Sequence, residues 1–565
     1  MSGLEAETSV GPEEEPLGAP EPAASPSASG SAESGSAGSL GSAGMLARAG
    51  LIVSGAYLAS RVLGWIRTVV FSAVFGVGTQ LDTYYAAFRI PDLVFQLVAA
   101  GALGAAVIPV LAGLFAHDQD ARAWRVVSTI SNLMLGGLLV LAVAAFVAAP
   151  WLVALLTPSY GPDELARIVP MTRLMLLSPI FLTLGAIASS ALNALGRFTV
   201  AAVAPLLYNV AIIAAALFLS PLLGVGALAV GVVVGAFLNA AIQVPSLVRQ
   251  RGFHFELGTI DLSDPAAREA LVLLIPRAIG LGATQITFLV NTTLAAGLGI
   301  GALTAYNLAF TAMQIPLGVI GLPLGIILLP TLSRAAALGA GRDFSAMIVR
   351  SLRMLLYVML FLTAVGVVLQ REATTFLYDY GQFRDADVPV VAGMLAVFLV
   401  GLAGHALIVV LARAYYARKD TRTPVMAAIL SVVVNVAVAV ATVGPLGLDA
   451  LAVGIAAGAW FEAILLLILL ARWLPGLDLV EMSRAGLLFG TAALGAAAVA
   501  QLVRNGILQA VGAEPGRFLL LSEAAVSFLA AALAFVAISR LLRLPELQAS
   551  LDLARSALHL GRSGA

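Results

Sequence analysis

Between residues 49 and 542 the sequence is a succession of long apolar runs separated by short polar or Gly/Pro breaks. A helix needs about 20 mostly apolar residues to cross a bilayer core of about 30 Å. Fourteen runs meet that length, roughly 49–75, 83–115, 124–154, 166–194, 199–220, 223–248, 270–297, 302–332, 345–370, 388–416, 423–443, 447–473, 484–508 and 517–542. In lipid every backbone polar group must be satisfied within the protein, so runs of this kind fold as helices. The expectation is an all-α polytopic membrane protein with fourteen transmembrane helices. Only 11% of the 565 residues are charged, against about 25% in an average soluble domain.

Several chemistries are excluded early. Formal charge is zero, which argues against a nucleic-acid partner. No cysteine is present, so there is no disulfide, thiolate metal site or cysteine nucleophile. His117, His254, His405 and His559 are too scattered to form a metal-binding pair. There is no GxxxxGK[ST] loop for a nucleotide and no carboxylate pair of the kind a membrane transferase uses. No cofactor is expected, and the chain reads as a transporter rather than an enzyme.

Residues 1–44 form a separate regime, with seven glutamates, no Lys or Arg and no aromatic. Such a segment cannot bury enough apolar surface to offset its chain entropy, so a disordered acidic tail is expected. Lys and Arg concentrate in cytoplasmic loops of membrane proteins. With the amino terminus inside, the inner connections hold 21 basic residues and the outer loops five: Arg167, Arg371, Arg384, Arg504 and Arg517. The alternation predicts a multi-pass protein of the plasma membrane with both termini cytoplasmic.

Residues 81–112 resemble 302–333 at an offset of 221, with Thr83 on Thr304, Tyr85 on Tyr306, Gly104 on Gly325 and Pro109 on Pro330. Six helices separate the copies, an even number, so the halves are parallel repeats related by an axis along the membrane normal. The domains that follow are 45–260 (helices 1–6), 261–478 (helices 7–12), 479–545 (helices 13–14) and a cytoplasmic tail at 546–565. A cavity between two six-helix lobes would serve alternating access.

Ionisable residues within spans usually face the bundle interior or a wet cavity. Five basic residues qualify: Arg61, Arg67, Arg89, Arg173 and Arg277. Arg61 is expected near the midplane, with no acid at its depth, and is read as contacting an anionic ligand. Arg67 lies about 9 Å further along the helix, within expected reach of Asp82, either as an interhelical ion pair or as a gate. A guanidinium fork suits phosphate, since it stays charged and donates two parallel hydrogen bonds. Arg277, behind Pro276, either snorkels or faces the cavity. Arg173 and Glu462 read as structural.

These motifs resemble the MurJ (MviN) lipid II flippases of the multidrug/oligosaccharidyl-lipid/polysaccharide exporter superfamily. The resemblance is carried by SRVLGWIRT (60–68), FGVGTQLDTYYAAFRIPDL (75–93), ALNALGRFTVAAVAPLLYNV (191–210), QIPLGVIGLPLGIILLPTLS (314–333), LYDYGQF (377–383) and ARAYYARKDTRTPV (412–425). It implies a cationic central cavity for an undecaprenyl-linked diphosphate head, a groove on helices 13 and 14 for the lipid tail, and transfer of peptidoglycan precursor between leaflets. Cell-wall synthesis proteins are implied as partners, and membrane potential or an ion as the energy source. Arg61 and Arg67 match the family's helix 1 arginines, Asp82 its acid opening helix 2, and Arg89 a position commonly lysine. The chain departs from the pattern at Thr68, where the family has aspartate, at Phe95, Gln96 and Ala100, and at Thr311, where a basic residue is usual. Arg277 is expected to supply the charge absent at Thr311. The alternative readings are a flippase for another polyprenyl-linked glycan, a cation-coupled drug exporter, and a non-transporting cell-wall scaffold.

Overall fold

The computed structural model describes residues 36–98, 102–337, 341–418, 420–474, 476–511 and 516–552. Side chains at 273–281, that of Arg277 among them, lie outside the description, as do residues 1–35 and 553–565 of the two expected tails. The chain divides into two units, Met1–Leu51 and Ile52–Ala565. All contacts reported below lie within the second.

Every element among the described residues is helical. The first half comprises α1 (Ser36–Phe75), α2 (Thr79–Val98), α3 (Ala102–Ala116), α4 (Asp120–Leu156), α5 (Pro162–Met175), α6 (Ser178–Ala194), α7 (Phe198–Phe218), α8 (Ser220–Leu223), α9 (Gly226–Ala241) and α10 (Val244–Val248). Thus α1 takes in residues 36–44 of the stretch read as a tail. The second half comprises α11 (Pro265–Ala296), α12 (Ala302–Pro316), a π-turn at Leu317–Gly321, α13 (Leu322–Ala337), α14 (Gly341–Val368), α15 (Gln370–Tyr378), α16 (Val388–Val400), α17 (Leu402–Ala417), α18 (Arg422–Leu446) and α19 (Asp449–Ala471). Two long helices follow, α20 (Leu479–Val511) and α21 (Arg517–Leu541).

Among the described residues, eleven helices are long and apolar enough to span a bilayer, or twelve with α16 and α17 counted as one span bent by 41°. The expected runs outside that count are 83–115 and 270–297; the second falls on the single helix α11, whose side chains at 273–281 lie outside the described residues. The first became α2 and α3 on either side of 99–101. Its α2 carries Asp82, Arg89 and Asp92 and contains Pro91, so length and apolarity alone do not mark it as a span.

The internal repeat recurs in the packing. A Cβ at Gly231 or Gly235 of α9 would come within 2.7 Å of Ala215 Cβ or Tyr208 O on α7. A Cβ at Gly454 or Gly458 of α19 would come within 2.7 Å of Asn435 O or 2.9 Å of Ser431 O on α18. Both glycine pairs are 223 residues apart, close to the offset of 221 in the sequence. Membrane helices gain little hydrophobic energy by associating and rely on close backbone approach, so glycines recur where each pair meets.

The connection between the halves is strapped to α4. Asn132 Nδ2 donates to the carbonyls of Glu256 and Thr259 at 2.7 and 2.8 Å. Arg122 grips Asp264 through Nε and Nη2 at 2.7 and 2.8 Å. Asp264 in turn caps α11, accepting from Ala266 N at 2.8 Å. At the far end of the chain, Arg353 of α14 donates to Glu481 and Glu546 at 2.7 and 2.6 Å. Tyr357 OH donates to Ser539 of α21 at 2.8 Å, and its ring packs on Phe489 and Phe535. Helices α20 and α21 are thereby held against α14.

Candidate functional site

The candidate site is built on α1, whose two arginines are six residues apart and reach opposite halves of the molecule. Arg61 is exposed, and its guanidinium lies beside the π-turn of the second half: a Cβ at Gly318 would sit 3.4 Å from Nη1. A π-turn is rare, and such turns are frequent at functional sites. Arg67 turns to the first half. Its Nη1 donates to Asn209 Oδ1 of α7 at 3.2 Å, and Asn209 is oriented by donating to Pro205 O at 3.1 Å. The Arg67 guanidinium also lies 5.9 Å from the centre of the Phe71 ring, one turn along α1. Its Nε is buried with no hydrogen-bond partner among the described residues, and a buried donor left unmade costs free energy.

Asp82 is not the partner of Arg67. The carboxylate, 1% exposed, accepts from Gly301 N at 2.6 Å, Thr304 N at 2.7 Å and Thr304 Oγ1 at 2.6 Å. No ion pair joins it to Arg67 among the described residues. The physical reason is the start of α12. Its N-cap residue is Gly301, at φ +85°, which has no side chain to satisfy the exposed N–H groups. A carboxylate is stabilised at a helix N-terminus by those donors and by the helix dipole. Asp82 supplies that missing cap from the other half of the molecule.

The same end of the bundle is closed by glycine contacts. Gln382 N donates to Ala73 O at 2.7 Å. Gly381, at φ +60°, lies so close to Ala73 O that no Cβ would fit. A Cβ at Gly301 would meet Val77 Cγ1 at 2.9 Å. The turn after α1 is thus pinned between the loop before α12 and the loop after α15. Beside it is a cavity of about 270 Å³ lined by Asp82, Tyr160, Glu164 and Gly297.

The remaining candidates are placed as follows. Arg89, 8% exposed, donates through Nε to Thr292 Oγ1 of α11 at 3.0 Å and lies 5.4 Å from the centre of the Phe288 ring. In this conformation it ties α2 to α11. Arg173 donates to Phe146 O at 3.1 Å and its guanidinium lies 4.9 Å from the centre of that ring. Thr68 and Thr311 each donate back into their own helices, to Gly64 O at 3.2 Å and Asn307 O at 2.7 Å. Both hydroxyls are satisfied locally, without a charged partner. Arg277 lies on α11 with its side chain outside the described residues.

Sequence reasoning missed the reach of Arg413, which is one of the 21 basic residues counted in the inner connections. Arg413 lies on α17, donates to Val409 O at 2.9 Å, and lays its guanidinium over Gly325 of α13, where a Cβ would collide. Gly325 is one of the repeat's matched glycines and Arg413 is the second residue of the ARAYYARKD motif, but nothing in the sequence says that the two meet.

Residues 71–512 match the family model described as Lipid II flippase MurJ. The chain belongs to the MurJ lipid II flippase family. It is a multi-pass membrane transporter and not an enzyme. The Burkholderia cenocepacia lipid II flippase MurJ is 34% identical over 427 residues, 73% of this chain and 81% of that relative. A probable lipid II flippase MurJ from Rhizobium meliloti is 32% identical over 459 residues, 79% of this chain and 85% of that relative. Among solved structures, a lipid II flippase MurJ in an inward closed conformation superposes with a TM-score of 0.72 at 19% identity, covering 87% of this chain and 99% of that one. An inward-facing MATE family transporter of the MOP superfamily superposes at 0.64 with 14% identity, covering 74% of this chain and 95% of that one. Arg61 and Arg67 precede the span of the family match, whereas Asp82 and Arg89 lie inside it.

Proposed function

We propose that the chain moves undecaprenyl-diphosphate-linked peptidoglycan precursor from the inner to the outer leaflet by alternating access. The observation that carries the mechanism is the divergence of the two α1 arginines, Arg61 beside Gly318 and Arg67 beside Asn209. A diphosphate placed between them touches both halves at once, and each guanidinium offsets part of a desolvation cost otherwise prohibitive in hydrocarbon. Arg89 joins them when its tie to Thr292 opens, and Arg277 is the cation proposed to replace the one absent at Thr311.

On this reading Asp82 gates the outer mouth by capping α12, and Arg67 biases the gate through its charge. The gate must part at Gly301, Thr304 and Gln382 for the head to leave outward. The architecture proposed is fourteen spans: parallel six-helix lobes at 45–260 and 261–478, and helices 13–14 at 479–545 carrying the lipid tail. Both termini are proposed to be cytoplasmic in a bacterial plasma membrane, and cell-wall synthesis proteins are proposed as partners. A transmembrane potential, worth about 2.3 kcal/mol per charge per 100 mV, or a coupled ion would drive net flux.

The test is complementation of a strain depleted of its lipid II flippase. Rescue by the wild-type chain and none by Arg61→Ala, with both proteins in the membrane, is expected. A wild-type chain that reaches the membrane without rescuing overturns lipid II as the substrate. Arg277→Ala should fail as well; full rescue by it removes Arg277 from the site.

A further inference from the structure

A second cavity, of about 500 Å³, lies at the same end of the bundle as the Gln382–Ala73 contact but away from α1. Its polar wall is Gln370 and Arg371, at the start of α15, with Gln501 and Arg504 of α20. Its apolar wall includes Val368 of α14 and Ala392 of α16. The volume falls in the range of small-molecule sites, roughly 300–1,000 Å³.

The polar wall is held in place from behind. Arg504 Nε donates to Glu372 Oε1 at 2.7 Å, and the Glu372 side chain is fully buried. That bond uses the Nε edge of the guanidinium, and Arg504 lines the cavity beside Arg371, which is exposed. From α21, Glu523 backs this pair, accepting from Ser527 Oγ at 2.8 Å. Gln370 Oε1 is buried without a hydrogen-bond partner among the described residues. A buried acceptor left unmade is costly, so a ligand that brings a donor hydroxyl is favoured there.

We propose that this cavity binds the phosphate headgroup of an anionic membrane lipid, at a site separate from the α1 arginines. Two guanidiniums side by side recognise phosphate oxygens through charge-assisted hydrogen bonds. The apolar wall suits the first carbons of an acyl or prenyl chain. Arg371 follows the end of the long apolar helix α14, at the start of α15, and Arg504 lies in the last turns of α20, positions from which a guanidinium can reach the headgroup region.

The test uses the purified, delipidated full-length chain, with bound lipid counted by native mass spectrometry. Phosphatidylglycerol, undecaprenyl phosphate, phosphatidylcholine and inorganic phosphate are titrated separately. One saturable equivalent of an anionic lipid is expected, bound about tenfold more tightly than phosphatidylcholine and weakened about tenfold by Arg371→Gln. Arg371 is exposed, so that variant keeps its fold. The double variant E372Q/R504Q retains a neutral hydrogen-bonding pair and should weaken binding similarly. The equivalent must persist in Arg61→Ala, which separates this site from that of the translocated head. The tighter of the two anionic lipids identifies the source as bulk phospholipid or prenyl carrier. Wild-type affinity in Arg371→Gln, equal binding of phosphatidylcholine, or binding of inorganic phosphate alone overturns the proposal.

Discussion

Replacing Asp82 by Asn tests what holds α2 to the start of α12 at the proposed gate. The carboxylate accepts three hydrogen bonds from the start of α12, at 2.6, 2.7 and 2.6 Å. Hydrogen bonds to a charged group are worth about 1.5–3 kcal/mol each. Asn keeps the shape but loses the charge, and it turns an NH₂ group toward at least one donor. We expect the joined state to lose about 2–4 kcal/mol, a shift of roughly 30- to 900-fold toward the parted state. Thr304→Val removes only the hydroxyl and should cost about 1 kcal/mol, near fivefold. The chain has no cysteine, so spin labels can be placed cleanly on cysteines introduced at Gln80 and Ala386, both exposed and on opposite sides of the joint. Double electron–electron resonance should show a single short distance in the parent and a longer population in Asp82→Asn. An unchanged distance distribution in Asp82→Asn refutes the capping argument.

Two further perturbations test contacts elsewhere in the molecule. Gly381→Ala places a Cβ against Ala73 O and strains a residue at φ +60°; about 2 kcal/mol or more of the joined state should be lost, read by the same spin-label pair. Asp264 lies outside the spans, and the hydrogen bond from Arg122 holds its carboxyl below the usual carboxylate range. Its folded pKa is depressed, so its contribution is complete above the unfolded value of about 3.9 and is lost as pH falls through the folded one. Thermal unfolding between pH 7 and pH 3 should therefore show a smaller pH dependence in Asp264→Asn than in the parent.

Much of the architecture was legible because bilayer physics leaves few choices. Apolar runs of spanning length became helices, and the repeat recurred as matched glycines in α9 and α19. Of the two runs outside the count, 83–115 is the polar one: α2 carries three ionisable residues, and apolarity alone does not recognise a helix whose charges are buried by its neighbours. The other, 270–297, falls on α11, whose side chains at 273–281 are outside the described residues. The α1 arginines could be marked as functional from their cost in hydrocarbon. Arg413 could not, since its reach to Gly325 depends on how α17 lies against α13.

The sequence by itself determined that this chain crosses a membrane as helices, that it repeats, and that Arg61, Arg67 and Asp82 are ionisable groups needing partners. It determined depth along each helix, because rise per residue is constant. Only the tertiary structure decided which groups meet. Asp82 and Arg67 looked paired by charge and depth, yet a helix start without a cap, at Gly301, offered Asp82 two backbone donors and a hydroxyl. That competitor comes into being only when α12 folds and is set beside α2. Thr68, where the family has an acid, is likewise settled by folding: its hydroxyl donates to Gly64 O, and Arg67 finds Asn209 instead.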